Sequence, residues 1–498
     1  MKDLVNTFKK FFVSGAGAAV VNFAVYYLLE DVFLVNYLIS GCLAFLISFV
    51  FAFFMHRNWS FVERKSLKVD RQLVLYFLTS FTNLILTLVV LSFLVSVLYF
   101  PNLISYVFSA GAITVLSFII NNFFVFNKSK YEDSPIWKML IVTILITIIL
   151  YTIRVLLFPF EISTDTLTFI DTAKYFVGDL DSAPGFRLLK PLAPACLALV
   201  HVLFHLDFFI SFNFFVFASY IVLSVSALFF FYMFFKGNKF SAYAGTILTL
   251  AAYPVLKYGL DPMTEVGALA FVFAASAFII LYNREAQLGP RSARATTYLL
   301  ISLFFILVGF LWKEYTALSG IILFLIVASK FYTDHKKYFR DILIVTLVPT
   351  IFLVLLNLLT HFLFNYTYLD WFAVGQESSD AYTQFTIYYL AKSIFGTLLL
   401  GWVFFLFGLL KFKNLGSIEK KEIVIFMLVT PFVFSWGYVS SRLFFPAMIP
   451  IIILSALGLN YLKDRFGNKF YIFCLALYIF TTFFWIFTSS HLTAILGN

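Results

Sequence analysis

Charged residues are scarce in this chain of 498 residues, where Asp, Glu, Lys and Arg make up only 12% and hydrophobic residues 62%. No soluble core needs that much apolar sequence, so the composition excludes a soluble globular protein and indicates many membrane spans. The weak polar and apolar alternation of a membrane barrel is missing, so we expect helical spans. Cysteine is almost absent, and Cys42, Cys196 and Cys474 have no spacing typical of a zinc site or a disulfide framework.

The basic residues are unevenly distributed among the loops between about fifteen expected spans. With a cytoplasmic N-terminus, all but eight of the 35 Lys and Arg fall on the cytoplasmic side, as the positive-inside rule requires. The net charge of +10 therefore reflects cytoplasmic loops, and we expect no nucleic-acid partner. This topology treats 240–258 as one span and 191–206, which is short and contains two Pro and two His, as interfacial or re-entrant.

One polar stretch stands out from the apolar helices, Phe158 to Ala195, and the topology places it outside the cytoplasm. A loop of this length between spanning helices commonly carries a site. Asp165 precedes an expected helix at 166–177, where it is either a functional acid or the helix N-cap. Asp171 lies on the solvated side of that helix. Asp179 and Asp181 form a D-x-D motif, which can hold a divalent cation but is also typical of a turn.

The first 130 residues contain a repeated pattern, FFMHRNWSF at 53–61 and FIINNFFVF at 118–126. Its first copy, with Arg57, Trp59 and Phe61, resembles the motif of the GtrA-like family; the second copy has Asn122 in place of the arginine. The resemblance implies a four-helix membrane module that flips a polyprenyl-phosphate-linked sugar. The few intramembrane asparagines of this module are expected to join helices rather than to bind substrate.

The remaining chain resembles the GT-C superfamily of membrane glycosyltransferases. The resemblance rests on Asp165 at the head of a D-x3-F-x3-A pattern and on RLLKPLAP at 187–194. Further polar pairs recur at the outer helix ends, namely Asp261 with Glu265, Lys313 with Glu314, and Ser441 with Arg442. The resemblance to the GT-C superfamily implies transfer of a sugar from a polyprenyl phosphate, with a catalytic Asp in the first extracytoplasmic loop.

The resemblance and the residue types together predict the roles of the outer polar residues. A carboxylate in a partly apolar site can act as a general base, and Arg or Lys can bind the departing phosphate. We expect catalysis by Asp165 and Asp171, phosphate binding by Arg187, Lys190 and Arg442, and substrate binding by Asp261, Glu265, Lys313 and Glu314. No cofactor is required, although Asp179 and Asp181 are candidate ligands of Mg²⁺ or Mn²⁺.

These expectations define an all-α polytopic protein of the cytoplasmic membrane. Residues 1–130 form a four-helix GtrA-like module, and residues 131–498 form a GT-C-like domain of about eleven spans with its catalytic loop at 158–195. The expected partners are a polyprenyl-phosphate-linked sugar, an extracytoplasmic glycan, lipid or protein acceptor, and the bilayer. Two alternatives stay open: a non-enzymatic transporter or assembly scaffold, and a transferase whose N-terminal module only anchors it or recruits a partner.

Overall fold

A computed structural model describes most of the second half of the chain and parts of the first. The described residues are 2–33, 37–61, 136–158, 160, 162–179, 185–287, 293–368, 370, 394–429 and 448–496, with single positions between 72 and 121. They contain helices and no strand, which confirms the predicted all-α class. The chain divides into two compact units, Met1–Trp137 and Lys138–Asn498. The predicted boundary at residue 130 lies outside the described residues.

The first unit contains α1 (Lys2–Tyr27) and α2 (Tyr37–Met55), each followed by one turn of π-helix, Leu28–Val32 and His56–Ser60. Aromatic residues fill its core, where Phe11, Phe53, Phe61, Tyr76 and Phe118 are buried.

Polar side chains also join the helices of this unit. Asn22 donates to the Ser48 hydroxyl at 3.1 Å, and Asn83 donates to the Ser117 hydroxyl at 2.8 Å. The expectation that intramembrane asparagines join helices is therefore confirmed for these two residues.

The second unit is a larger assembly of helices. They are α3 (Ile136–Leu157), α4 (Thr164–Phe176), α5 (Leu192–Phe204), α6 (Phe208–Phe234), α7 (Lys239–Leu250), α8 (Glu265–Glu285), α9 (Ala293–Trp312), α10 (Ala317–Thr333), α11 (His335–Phe364), α12 (Gly401–Phe412), α13 (Ser417–Val429), α14 (Met448–Phe466) and α15 (Asn468–Leu496). In the described part of the chain as a whole, eight helices are long and apolar enough to cross a membrane. The total number of spans stays a prediction.

Two segments differ in length from ordinary spanning helices. The prediction of one continuous helical span at 240–258 is wrong, because α7 ends at Leu250 and a separate π-helical turn follows at Val255–Gly259. Pro254 precedes that turn, and proline has no N–H to continue the hydrogen bonding of α7. At 191–206 the structure has only the 13-residue helix α5, which is shorter than the roughly 20 residues that a bilayer requires.

Helix α8 is the centre of the second unit. It packs against α6 and α9 along its length, and 16 of its residues are buried. Its 21 residues span about 30 Å, the thickness of the hydrocarbon core. Polar side chains gather at its two ends, so α8 separates two polar clusters by about the width of a membrane.

At the C-terminal end of α8, basic side chains bind the last carbonyls of two helices. Arg284 donates to the carbonyls of Met233 (2.5 Å) and Phe234 (2.9 Å), where α6 ends. Lys330 donates to the Asn283 carbonyl of α8 at 3.0 Å. The C-terminus of a helix carries partial negative charge, so cations there stabilise α6 and α8. These residues belong to the loops that the sequence assigns to the cytoplasmic side.

Candidate functional site

The site lies at the other end of α8 and begins with the N-terminus of α4. The Ser163 hydroxyl accepts a hydrogen bond from the Thr166 N–H, and the Thr166 hydroxyl accepts one from the Ser163 N–H, each at 3.1 Å. The Thr166 hydroxyl also donates to the Pro262 carbonyl at 3.0 Å, which joins α4 to the segment before α8. Ser163 is therefore the N-cap. The alternative interpretation of Asp165 as the cap is wrong, and its carboxylate has a different partner.

That partner is Arg187, whose Nη2 lies 2.5 Å from Asp165 Oδ1. Arg187 Nε donates to the Thr168 hydroxyl at 3.1 Å, and the guanidinium lies 4.3 Å from the centroid of the Phe169 ring. One turn of α4 thus supplies a carboxylate, a hydroxyl and an aromatic face to a single arginine. The Arg187 side chain is 8% exposed and the Asp165 side chain 32%, so the acid is the more accessible member of this pair.

A second pair lies immediately after the short 3₁₀ helix Gly185–Leu189, on the same segment as Arg187. The Lys190 ammonium forms an ion pair with the Glu314 carboxylate, with side chains 3% and 26% exposed. Again the cation is buried and the acid is the accessible member. Burial lowers the pKa of Lys190 to about 8, and the Glu314 carboxylate opposes this effect. Lys190 is therefore deprotonated more readily than an ordinary lysine.

A third pair joins α8 to the end of α9. Lys313 Nζ lies 2.6 Å from Glu265 Oε1, and the Tyr315 hydroxyl donates to the Glu265 carbonyl at 2.6 Å. The Glu265 side chain is only 3% exposed. Two neighbouring residues, Lys313 and Glu314, thus connect this pair with the preceding one.

The fourth pair is buried on both sides. Arg154 of α3 lies 2.7 Å from the Asp261 carboxylate, with side chains 1% and 5% exposed. Arg154 also donates to the carbonyls of Leu256 (2.9 Å) and Phe158 (2.8 Å). A buried ion pair with these additional hydrogen bonds holds the end of α3 against the segment before α8.

Helix ends place two of these acids in a common electrostatic setting. Asp165 and Glu265 lie in the first turns of α4 and α8. The N-terminus of a helix carries partial positive charge and exposes unpaired N–H groups, so it favours an anion. Together with Arg187 and Lys190, these termini make a region that can bind a phosphate next to a carboxylate.

Three residues of this region were not predicted as part of the site: Arg154, Thr168 and Tyr368. Arg154 could have been found, because an arginine inside an apolar span commonly marks a functional or structural polar contact. The Tyr368 hydroxyl donates to the Leu189 carbonyl, beside Lys190. Nothing in the sequence near Thr168 or Tyr368 indicates these contacts.

Two other predicted site residues, Asp171 and Asp179, lie outside the four ion pairs described above. Asp171 forms its ion pair with Lys174 at 3.9 Å, and both side chains are more than a third exposed. Asp179 is exposed in the turn after α4. Asp181 and Arg442 lie outside the described residues, so their roles stay predictions. Within the described ranges, no group of three His, Cys, Asp or Glu side chains could hold a metal ion.

The GtrA-like motif of the first unit divides between interior and surface. Phe61 is 2% exposed and belongs to the aromatic core, whereas Trp59 is 39% exposed. The Arg57 guanidinium contacts the Gln72 side chain. The π-helical turn His56–Ser60 therefore directs His56 and Ser60 inward, where both are buried, and Trp59 outward.

The described helices are those of a polytopic α-helical membrane protein, with a polar cluster at each end of α8. Comparison with known families then identifies part of the chain. Residues 10–126 match the GtrA/DPMS transmembrane domain, which confirms the GtrA-like part of the sequence interpretation. No family matched the second unit as a GT-C glycosyltransferase. No curated protein and no solved structure matches the chain.

Proposed function

We propose that the chain is a membrane glycosyltransferase that moves a sugar from a polyprenyl-phosphate donor to an acceptor outside the cytoplasm, in cell-surface glycan assembly. The observation that supports it best is the pairing of Asp165 with Arg187, next to the pair of Lys190 with Glu314. Phosphate ligands and an accessible carboxylate in one place are what such a reaction needs. The GtrA/DPMS domain at residues 10–126, which is associated with lipid-linked sugars, agrees with this donor class.

In the proposed reaction, an acceptor hydroxyl attacks the anomeric carbon of the sugar. A new bond forms between that carbon and the acceptor oxygen, and the bond to the phosphate oxygen breaks with its electron pair. The hydroxyl proton passes to the Asp165 carboxylate, which acts as general base. Arg187 and Lys190 stabilise the charge on the departing polyprenyl phosphate. A single displacement inverts the anomeric configuration.

The other charged pairs have supporting roles in this proposal. Glu265 and Lys313, which pair with each other at the same end of α8, are assigned to sugar binding in this proposal. Arg154 and Asp261 are buried against each other, so they hold the frame on which the reacting groups lie. The reaction as written needs no metal, and Asp179 with Asp181 remains a candidate site for a divalent cation.

The test is a transfer assay on the purified full chain in lipid nanodiscs. The protein is supplied with a panel of synthetic polyprenyl-phosphate sugars and a panel of acceptor glycans, and the products are identified by mass spectrometry. We expect sugar to be transferred from at least one donor, with release of polyprenyl phosphate. Binding of the donors without any transfer across the panels would contradict the enzymatic proposal.

A non-enzymatic transporter of lipid-linked sugars is the second candidate function. The match of residues 10–126 favours it, because that domain points to flipping or presentation of such lipids. In reconstituted vesicles, a transporter moves a polyprenyl-phosphate sugar between leaflets without consuming it. A transferase consumes it when an acceptor is present. In the proposed fusion, the first unit flips or presents the donor, and covalent linkage raises the donor concentration at the second unit.

A further inference from the structure

The two phosphate-binding candidates are already occupied by acids of the chain itself. Arg187 holds the Asp165 carboxylate, and Lys190 holds the Glu314 carboxylate. A carboxylate and a phosphate use the same cation in the same way, through charge-assisted hydrogen bonds to oxygen. A donor phosphate that binds Arg187 and Lys190 must therefore compete with Asp165 and Glu314.

Exposure separates these two pairs from the other two. In the Asp165–Arg187 and Glu314–Lys190 pairs the acids are 32% and 26% exposed, and the cations are 8% and 3% exposed. In the Glu265–Lys313 and Asp261–Arg154 pairs the acids are 3% and 5% exposed. Acids with accessible side chains can move away from their cations into solvent, whereas a buried acid that left its partner would be stranded.

Arg187 also keeps its position without the acid. Its Nε donates to the Thr168 hydroxyl, and its guanidinium lies against the Phe169 ring. The Tyr368 hydroxyl donates a hydrogen bond to the carbonyl of Leu189, the residue before Lys190. Departure of the two carboxylates therefore leaves the Arg187 guanidinium held in place and the backbone next to Lys190 anchored.

We infer that donor binding and activation of the base are one event, in which the donor phosphate displaces Asp165 from Arg187 and Glu314 from Lys190. This inference rests on the proposed function. Paired with a guanidinium, the Asp165 carboxylate is a weak proton acceptor, because the adjacent positive charge favours its ionised form. Once phosphate has taken its place, Asp165 accepts a proton more readily, at the moment when a donor is present. The enzyme thus keeps its base inactive until the sugar donor is bound.

The exchange makes an unusual prediction about binding: removal of a negative charge from either acid tightens phosphate binding. The probe is undecaprenyl phosphate, titrated against the full chain in neutral-lipid nanodiscs at pH 7. We expect Asp165→Asn, and Glu314→Gln in a Lys190→Arg background, each to bind it at least about threefold more tightly than the corresponding parent protein, because a competing charge is gone and an arginine keeps its own charge without the carboxylate. Asp370→Asn is the matched control, since it removes the same charge at an exposed position where the carboxylate accepts hydrogen bonds from the N–H and hydroxyl of Thr367. Its affinity should be unchanged.

A double-mutant cycle assigns the effect to the pair. In an Arg187→Gln background, binding is weaker, and the further change Asp165→Asn no longer tightens it. Unchanged or weaker binding by both Asp165→Asn and Glu314→Gln with Lys190→Arg, each compared with its parent protein, would overturn the exchange and make these acids supports of the cations instead. That result leaves the proposed function standing if Arg187→Gln still weakens binding. Absence of binding to the unmodified protein, or binding indifferent to Arg187→Gln and Lys190→Gln, would overturn the proposed donor site as well.

Discussion

Asp165 is the residue on which the proposed chemistry depends. Asp165→Asn keeps the shape of the side chain and removes its basicity, while Arg187 retains its contacts to Thr168 and Phe169. We expect transfer to fall below about a tenth of the original rate, a loss of more than ~1.4 kcal/mol of transition-state stabilisation, while donor binding is retained or becomes tighter. Initial rates in the nanodisc assay measure this, with the exposed Asp370→Asn as the control. A variant that kept most of its rate would remove Asp165 from the role of base.

Lys190 gives the site a dependence on pH. Burial lowers the pKa of Lys190 to about 8, from an ordinary value of 10.5, so the free protein carries a protonated Lys190 below pH 8 and a neutral amine above it. Because only the ammonium attracts phosphate, we expect the affinity for undecaprenyl phosphate to fall as the pH rises from about 7 to 9. Arginine stays charged over this range, so Lys190→Arg should remove most of the fall. The same fall in both proteins would mean that another group titrates.

At the residue scale, the sequence indicated which polar side chains lie at one end of the molecule better than it predicted their partners. Seven of the predicted side chains lie at the same end of α8: Asp165, Arg187, Lys190, Asp261, Glu265, Lys313 and Glu314. Their pairing was not predictable: Asp261 meets Arg154, 107 residues away in the chain, and Lys190 meets Glu314. Sequence spacing predicts neighbours within one helix, but these pairs depend on which helix ends come together.

At the scale of elements, helices α12 and α14 cross with their backbones in close contact. A Cβ built on Gly458 would lie 1.9 Å from the Phe404 carbonyl oxygen, and one built on Gly408 would lie 1.9 Å from the Leu454 carbonyl oxygen. Small residues at such crossings let helix backbones approach closely in membranes. The Ser455 hydroxyl adds a hydrogen bond to the Gly401 carbonyl at 3.1 Å.

We therefore expect Gly458→Ala to destabilise the protein, since a backbone carbonyl cannot move aside as a side chain can. The cost is about 1–3 kcal/mol, which should lower the midpoint of thermal unfolding in detergent by several degrees. Gly320→Ala is the matched control, because its new methyl group would meet only Ile306 Cγ2 at 3.5 Å. Alanine also favours a helix over glycine by up to about 1 kcal/mol, so this control should unfold at the same or a higher temperature.

At the scale of the whole molecule, the uneven distribution of basic residues predicts the orientation in the membrane. Val177 lies near the site, in the turn after α4, and Tyr332 lies near the opposite end, at the end of α10; both are exposed. In a background without Cys42, Cys196 and Cys474, we expect Val177→Cys to react with an impermeant maleimide in intact cells. Tyr332→Cys should react only after the membrane is permeabilised. The reversed pattern would place the site on the cytoplasmic side and contradict the proposed reaction.

Local sequence patterns are sufficient to recognise a polytopic helical membrane protein and to locate the GtrA/DPMS match. Both follow from local properties: apolar runs of membrane-spanning length, and a short motif that includes Arg57, Trp59 and Phe61. Composition also singled out residues 158–195 as the polar stretch that carries part of the site.

The pairing of the charges at that site, by contrast, depends on how the helices pack. The tertiary structure assigned the cap of α4 to Ser163, paired Asp165 with Arg187 and Lys190 with Glu314, and added Arg154 and Tyr368. The physical reason is that an ion pair depends on the distance between side chains on separate helices. That distance is set by how α3, α4, α8 and α9 end next to one another, and no local pattern in the sequence encodes it.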